Sequence, residues 1–191
     1  MKLTLLKVKY LREYVKQAFE TQLNQITDDR LREQVIDVCV EALKLGNNGN
    51  GWKHMDFPFT LLIPNLKVTY TQHVQIVTDL AIQSAKLLSK SGISLNMDYL
   101  IASAILHDVG KPIEYAVQSN GSVGKSDTGN RLRHPVTGAG LALKHELPYE
   151  VVQNIYQHSW EGERGPGRTA EGEIIHRCDF LHYGPLKISM S

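Results

Sequence analysis

The sequence predicts an all-α fold. Apolar residues recur at helical spacing over most of the chain, and only a weak case at 3–9 alternates with the period of a strand. Gly- and Pro-marked breaks divide the periodic stretches, and no internal repeat is present.

In chain order, helices are expected near 10–25 and 30–45. The second carries Val35, Val38, Cys39, Ala42 and Leu43 at helical spacing and stops at Gly46, where GNNGNG breaks the chain. Residues 52–68, with Trp52, Phe57, Pro58, Phe59 and Pro64, read as irregular. A helix over 70–90 places Val74, Val77, Leu80, Ala81 and Leu88 on one stripe, and the next, near 97–108, is a buried run that ends at Gly110. The polar, Gly-rich stretch 119–130 reads as a mobile loop, a lid beside any site nearby. Helices near 135–146, with Pro135 at the first position, near 148–159 and near 170–183, opened by Thr169, complete the chain.

At 191 residues and 42% hydrophobic content, the chain suits one compact domain, or one domain with a helical extension. A net charge of +1 without basic runs argues against an extended nucleic acid as main partner. Cys39 and Cys178 lie in apolar helical settings without CxxC spacing, which points to a reduced, cytoplasmic compartment. The start, MKLTLLKVKY, has too short an apolar run for a signal peptide, and no stretch approaches the roughly 20 apolar residues of a membrane span.

The chemistry concentrates around His107 and Asp108, side by side at the end of the apolar run Ile101–Leu106. An imidazole and a carboxylate are costly to bury there unless something such as a cation holds them. His73, His134, His158 and Asp179 each sit in or beside another helical segment, so all could point inward from different helices. Taken singly, each histidine also fits a hydrogen-bonded core or helix-end residue. Asp179 fits that bland reading least, because Ile174, Ile175, Cys178 and Phe180 surround it. His176, on nearly the same face as Asp179, reads as supporting a ligand or facing substrate.

Lys111, just after Gly110, is placed to meet a phosphate as a point charge, and Arg131, Arg133, Arg164 and Arg168 border His134 and His158 as further substrate contacts. The Gly-Lys-Ser at 124–126 lacks the GxxxxGK[ST] string of a phosphate loop.

The order His73, His107-Asp108, His134, His158, Asp179, with LHDVGKP at its centre, resembles the HD-domain superfamily of metal-dependent phosphohydrolases. The resemblance spans about 70–183, and the chain divides accordingly into an N-terminal helical extension, 1–66, and an HD-domain helical bundle, 67–191. It implies one metal held by His73, His107, Asp108 and Asp179. A second falls to His134 and His158, with Asp108 bridging. Asp108 and Lys111 are then the catalytic pair. Fe, Mn or Co suit such a site best, with Zn, Ni or Mg as alternatives.

Two such ions about 3.5–4 Å apart would bridge a water and lower its pKa, supplying hydroxide against a phosphate ester. The implied substrate is a small phosphorylated metabolite or nucleotide, and the N-terminal helices could serve a homodimer. Ser159 stands where cyclic-di-nucleotide phosphodiesterases of this family carry another histidine, which argues against that branch. Alternatives are an HD-type diiron oxygenase, which uses a similar ligand set, or a metal- or nucleotide-binding sensor.

Overall fold

Side-chain caps set where most of the long helices begin. The computed structural model describes residues 2–164 and 167–190, and the side chains of residues 2–4 and 164 lie outside the description. Helix α1 (Lys2–Ala18) and a single turn, α2 (Glu20–Leu23), precede α3 (Asp29–Leu45), which Asp28 caps by accepting from the Leu31 N–H. Thr69 and Gln72 form a capping box at the start of α4 (Tyr70–Leu88), and Asn96 caps α5 (Met97–Leu106). A turn leads to α6 (Lys111–Glu114) and the hairpin β1 (Tyr115–Val117) and β2 (Val123–Lys125). Then come α7 (His134–Lys144), α8 (Tyr149–Gln157), a 3-10 segment at Trp160–Arg164, and α9 (Ala170–Ser189), capped by Thr169.

This is the all-α bundle expected, with differences in detail. The strand case at 3–9 is overturned: these residues begin α1. Val8, Leu11, Val15 and Phe19 continue a helical stripe into the core, and that longer period wins over the short alternation. The hairpin was not expected. Its strands are three residues each, too short to show a period, and pair antiparallel with Ala116 opposite Gly124. Part of 119–130, read as a mobile lid, therefore belongs to a hairpin. Ser126 behind it is buried, its hydroxyl donating to the Ile113 carbonyl at 2.6 Å. Helix α7 starts one residue earlier than expected, with His134 rather than Pro135 in its first position.

Helix α5 is the axis of the bundle, buried from Leu100 through Leu106, and packs against α3, α4, α8 and α9. Leu11, Val35 and Val38 of the first helices share one buried cluster with Val74, Ile105, Ile155 and Ile175. The GNNGNG break is a clamp on the hairpin. Asn47 Oδ1 accepts from the Val117 N–H at 2.9 Å, Asn48 Oδ1 accepts from the Asp127 N–H at 3.0 Å, and Trp52 Nε1–H donates to the Pro112 carbonyl at 2.8 Å. The irregular stretch 52–68 seats Phe59, Ile63 and Leu66 against Tyr183 and Leu186 of α9. No helix among the described residues is long and apolar enough to cross a membrane.

Candidate metal centre

Three helices and two helix ends meet at Asp108. Helix α5 stops at Leu106, and His107 and Asp108 occupy the turn that follows, with the His107 ring completely buried. Gly110 lets the start of α7 close over this turn: a Cβ there would lie 2.1 Å from the His134 carbonyl oxygen and 2.4 Å from Thr137 Oγ1. That approach brings His134 to Asp108. Helix α4 contributes His73, the end of α8 contributes His158, and α9 contributes Asp179.

The two oxygens of Asp108 face different partners. Oδ2 lies 3.2 Å from His73 Nε2, 3.4 Å from His107 Nε2 and 2.6 Å from Lys111 Nζ. Oδ1 lies 3.1 Å from His134 Nε2 and 3.5 Å from His158 Nε2. Asp179 Oδ1 adds a contact of 3.3 Å to His73 Nε2. Two triads that could each hold a metal ion result, His73/His107/Asp108 and Asp108/His134/His158, with Asp108 common to both.

The opposite ring nitrogens are tied back. His107 Nδ1–H donates to the Ala104 carbonyl and His158 Nδ1–H to the Ile155 carbonyl, both at 2.7 Å. The Glu114 carboxylate accepts from both the backbone N–H (2.7 Å) and the Nδ1–H (2.6 Å) of His134. With the proton on Nδ1, each Nε2 presents its lone pair to the centre. His134 Nε2 is buried without a hydrogen-bond partner, and Asp108 Oδ2 has its ion pair with Lys111 but no hydrogen bond of good geometry. Converging imidazole lone pairs and a buried carboxylate oxygen left open are what a divalent ion satisfies, so the donor set fits a metal.

The electrostatics of Asp108, Asp179 and His158 agree with this, while burial would lower His107 but Asp108 and Asp179 raise it above its ordinary value. Burial would push the Asp108 carboxyl up, but the Lys111 ammonium and His107 hold it well below the usual carboxylate range. Burial would likewise raise Asp179, and His73 and His107 bring it down. Burial lowers His158, favouring the neutral ring that a metal requires. Lys111 is raised because its pairing with Asp108 outweighs the cost of burial, so its charge is secure.

Asp108, Asp179, His134, His158 and Lys111 border a cavity of about 530 Å³, while His73 and His107 lie fully buried behind it. Lys125 from β2 and Arg133 add positive charge to its walls, and Phe59, Tyr115, Trp160, Phe180 and Tyr183 line it with rings.

Of the residues singled out from sequence, Arg133 reaches this cavity. Arg131 is exposed and does not line it. Arg168 is spent on α8, donating to the Gln157 and Ser159 carbonyls at 2.8 and 3.1 Å, and pairs with Glu163. The Arg164 side chain lies outside the described residues. His176 is buried away from the cavity and donates from Nδ1 to the His158 carbonyl at 2.7 Å. Sequence reasoning passed over Glu114, His182, Lys125 and the aromatic walls. His182 carried a signal, lying three residues after Asp179 on the same helix face.

Comparison with known families places this geometry. Residues 70–184 match the HD domain. The chain belongs to the HD-domain family. Among curated proteins, the dihydroneopterin 2',3'-cyclic phosphate phosphodiesterase of Methanocaldococcus jannaschii is 30% identical over 164 residues. The alignment covers 81% of this chain but only 64% of the relative. No solved structure matches the chain.

Proposed function

We propose that this HD-domain protein is a metal-dependent phosphodiesterase that opens a small cyclic phosphate ester bearing a flat ring system. The observation that carries the reading is Asp108, which turns one oxygen to His73 and His107 and the other to His134 and His158 at the edge of a ring-walled cavity that Lys111, Lys125 and Arg133 also line. The similarity to a cyclic phosphate phosphodiesterase supports the same class of substrate here.

In this reading His73, His107, Asp108 and Asp179 would hold one divalent ion. His134 and His158, together with Asp108, would hold a second. Fe, Mn or Co suit these nitrogen and oxygen donors. When bound, the ions supply Lewis acidity and lower the pKa of water at the site. Lys111 holds a phosphate oxygen by a charge-assisted hydrogen bond, and Arg133 and Lys125 draw the anion in. Glu114 keeps the His134 proton on Nδ1. The ring-bearing end of the substrate lies against Trp160, Phe180 and Tyr183, in a cavity of a size usual for small-molecule sites. A new bond forms between water oxygen and phosphorus, one ring P–O bond breaks, and the freed oxygen takes a proton, leaving a phosphomonoester. Residues 1–66 act as a helical extension that completes the core without lining the catalytic end, apart from Phe59–Leu62.

The test is phosphorus NMR of anaerobically purified protein supplied with Fe(II) or Mn(II). The substrates are 2',3'-cyclic nucleotides and the 2',3'-cyclic phosphate of dihydroneopterin. Conversion of the cyclic resonance to a monoester, abolished by chelator, is expected. Metal-loaded protein that leaves every cyclic ester intact would overturn the reading.

A further inference from the structure

Three of the histidines around Asp108 have their outer ring nitrogen tied to an oxygen that can only accept: a carbonyl for His107 and His158, a carboxylate for His134. His73 differs. Its Nδ1 lies 2.8 Å from Nδ1 of another imidazole, His182 on α9. One of these two nitrogens carries a proton and the other accepts it, and the neighbours on the far side of His73 decide which.

His73 Nε2 points at His107 Nε2 (3.2 Å), Asp108 Oδ2 (3.2 Å) and Asp179 Oδ1 (3.3 Å), the place where a cation would sit. For Nε2 to be a ligand it must be bare, so the His73 proton belongs on Nδ1, and His182 must accept it with its own proton on Nε2. The packing restricts both rings to this relation. Phe59 stacks on His73 at 4.1 Å between centroids and 9° between planes, and His182 lies 5.0 Å from His73 at 22° and 5.6 Å from Phe59 at 26°.

We infer that His182 is a positioning residue of the centre: by accepting the Nδ1 proton of His73, it holds that ring in the one tautomer that can bind a metal. It rests on the metal-centre reading of the same site and adds a residue outside the ligand set. His182 touches no reacting atom and acts only through His73. Where the other histidines rely on fixed acceptors, this one relies on an imidazole that accepts in only one of its neutral forms. Without it, the His73 proton can move to Nε2 and block the site.

Long-range nitrogen–proton NMR of metal-free wild-type protein tests the inference without any metal present. His73 is expected protonated on Nδ1 and bare on Nε2, and His182 the reverse. The opposite assignment overturns the inference even if the metal reading stands. The second arm measures Mn(II) affinity by competition with a chelating dye. His182→Phe is expected to weaken the site that contains His73 roughly ten- to hundredfold, as loss of such supporting partners does. His182→Asn, whose Oδ1 occupies nearly the place of the imidazole Nδ1, is expected to recover most of that loss.

A Phe variant that binds Mn(II) like wild type, or an Asn variant as weak as Phe with an unchanged Tm, overturns the positioning role. If wild-type protein binds no divalent ion, the metal reading fails, and the tautomers in the metal-free protein still report on His182.

Discussion

Replacing Lys111 by Met removes a charge and leaves most of the shape, and the structure sets the size of the effect. Lys111 Nζ lies 2.6 Å from Asp108 Oδ2, with the two side chains 9% and 2% exposed. Its stem runs beside Phe59, whose ring centre is 5.3 Å from Nζ, and methionine can keep that packing. What is lost is the ammonium that compensates a buried carboxylate, and breaking one partner of a buried pair costs about 3–5 kcal/mol. In a chain of this length that is a fall in Tm of roughly 6–20 °C for the metal-free protein.

With divalent metal bound, positive charge returns to Asp108, so most of the loss should disappear. Catalysis should not recover: a charge-assisted contact to phosphate of about 1.5–3 kcal/mol is gone, so kcat/KM falls roughly ten- to hundredfold. Differential scanning calorimetry with chelator and with Mn(II), beside kinetics on the metal-loaded variant, measures both. An equal loss of Tm in the two conditions would refute the charge-compensation reasoning, and unchanged kinetics would refute the phosphate contact.

His134→Ala or His158→Ala should lose one of two bound ions and keep the other, read by metal analysis of the purified variants, whereas Asp108→Ala should lose more metal than Asp179→Ala. Glu114→Ala removes the acceptor of both the backbone N–H and the ring N–H of His134, so Mn(II) affinity at that side of the centre should drop roughly tenfold or more by titration. Gly110→Ala places a methyl against the His134 carbonyl and should destabilise the fold by more than about 1–3 kcal/mol, measured by urea unfolding. Asp98 accepts from the N–H and hydroxyl of Thr27 and the N–H of Asp28. Burial would raise its carboxyl, but these bonds lower it below its ordinary value. Its stabilisation is therefore present above about pH 4 and lost as pH falls through the folded value, and Asp98→Asn should flatten that acid limb of urea stability.

How far the fold and the site were legible follows from the range of the interactions involved. Stripes such as Val74, Val77 and Ala81 are local, and so are caps such as Thr69 and Thr169, so the helices were readable from neighbours in sequence. The hairpin was not, because its three-residue strands are held by Asn47 and Asn48 from a loop far upstream. The inward histidines and Asp108 were legible only as a set, since each histidine taken singly also fits a core or helix-end residue. Glu114 was not: its role depends on α7 starting directly over α6, which the close approach at Gly110 permits and no local pattern reports. Arg168 looked like a substrate contact because it is a cation in a Gly-rich loop, yet it meets the Gln157 and Ser159 carbonyls instead.

The measurement that bears most directly on the account is anomalous X-ray scattering from crystals of anaerobically prepared protein, at the absorption edge of the metal that bulk analysis finds. The account predicts two peaks per chain, about 3.5–4 Å apart. Asp108 should lie between them, with His73, His107 and Asp179 on one and His134 and His158 on the other. A single peak that leaves His134 and His158 without a metal would contradict the bridged centre, and peaks that avoid Asp108 altogether would contradict the metal centre itself.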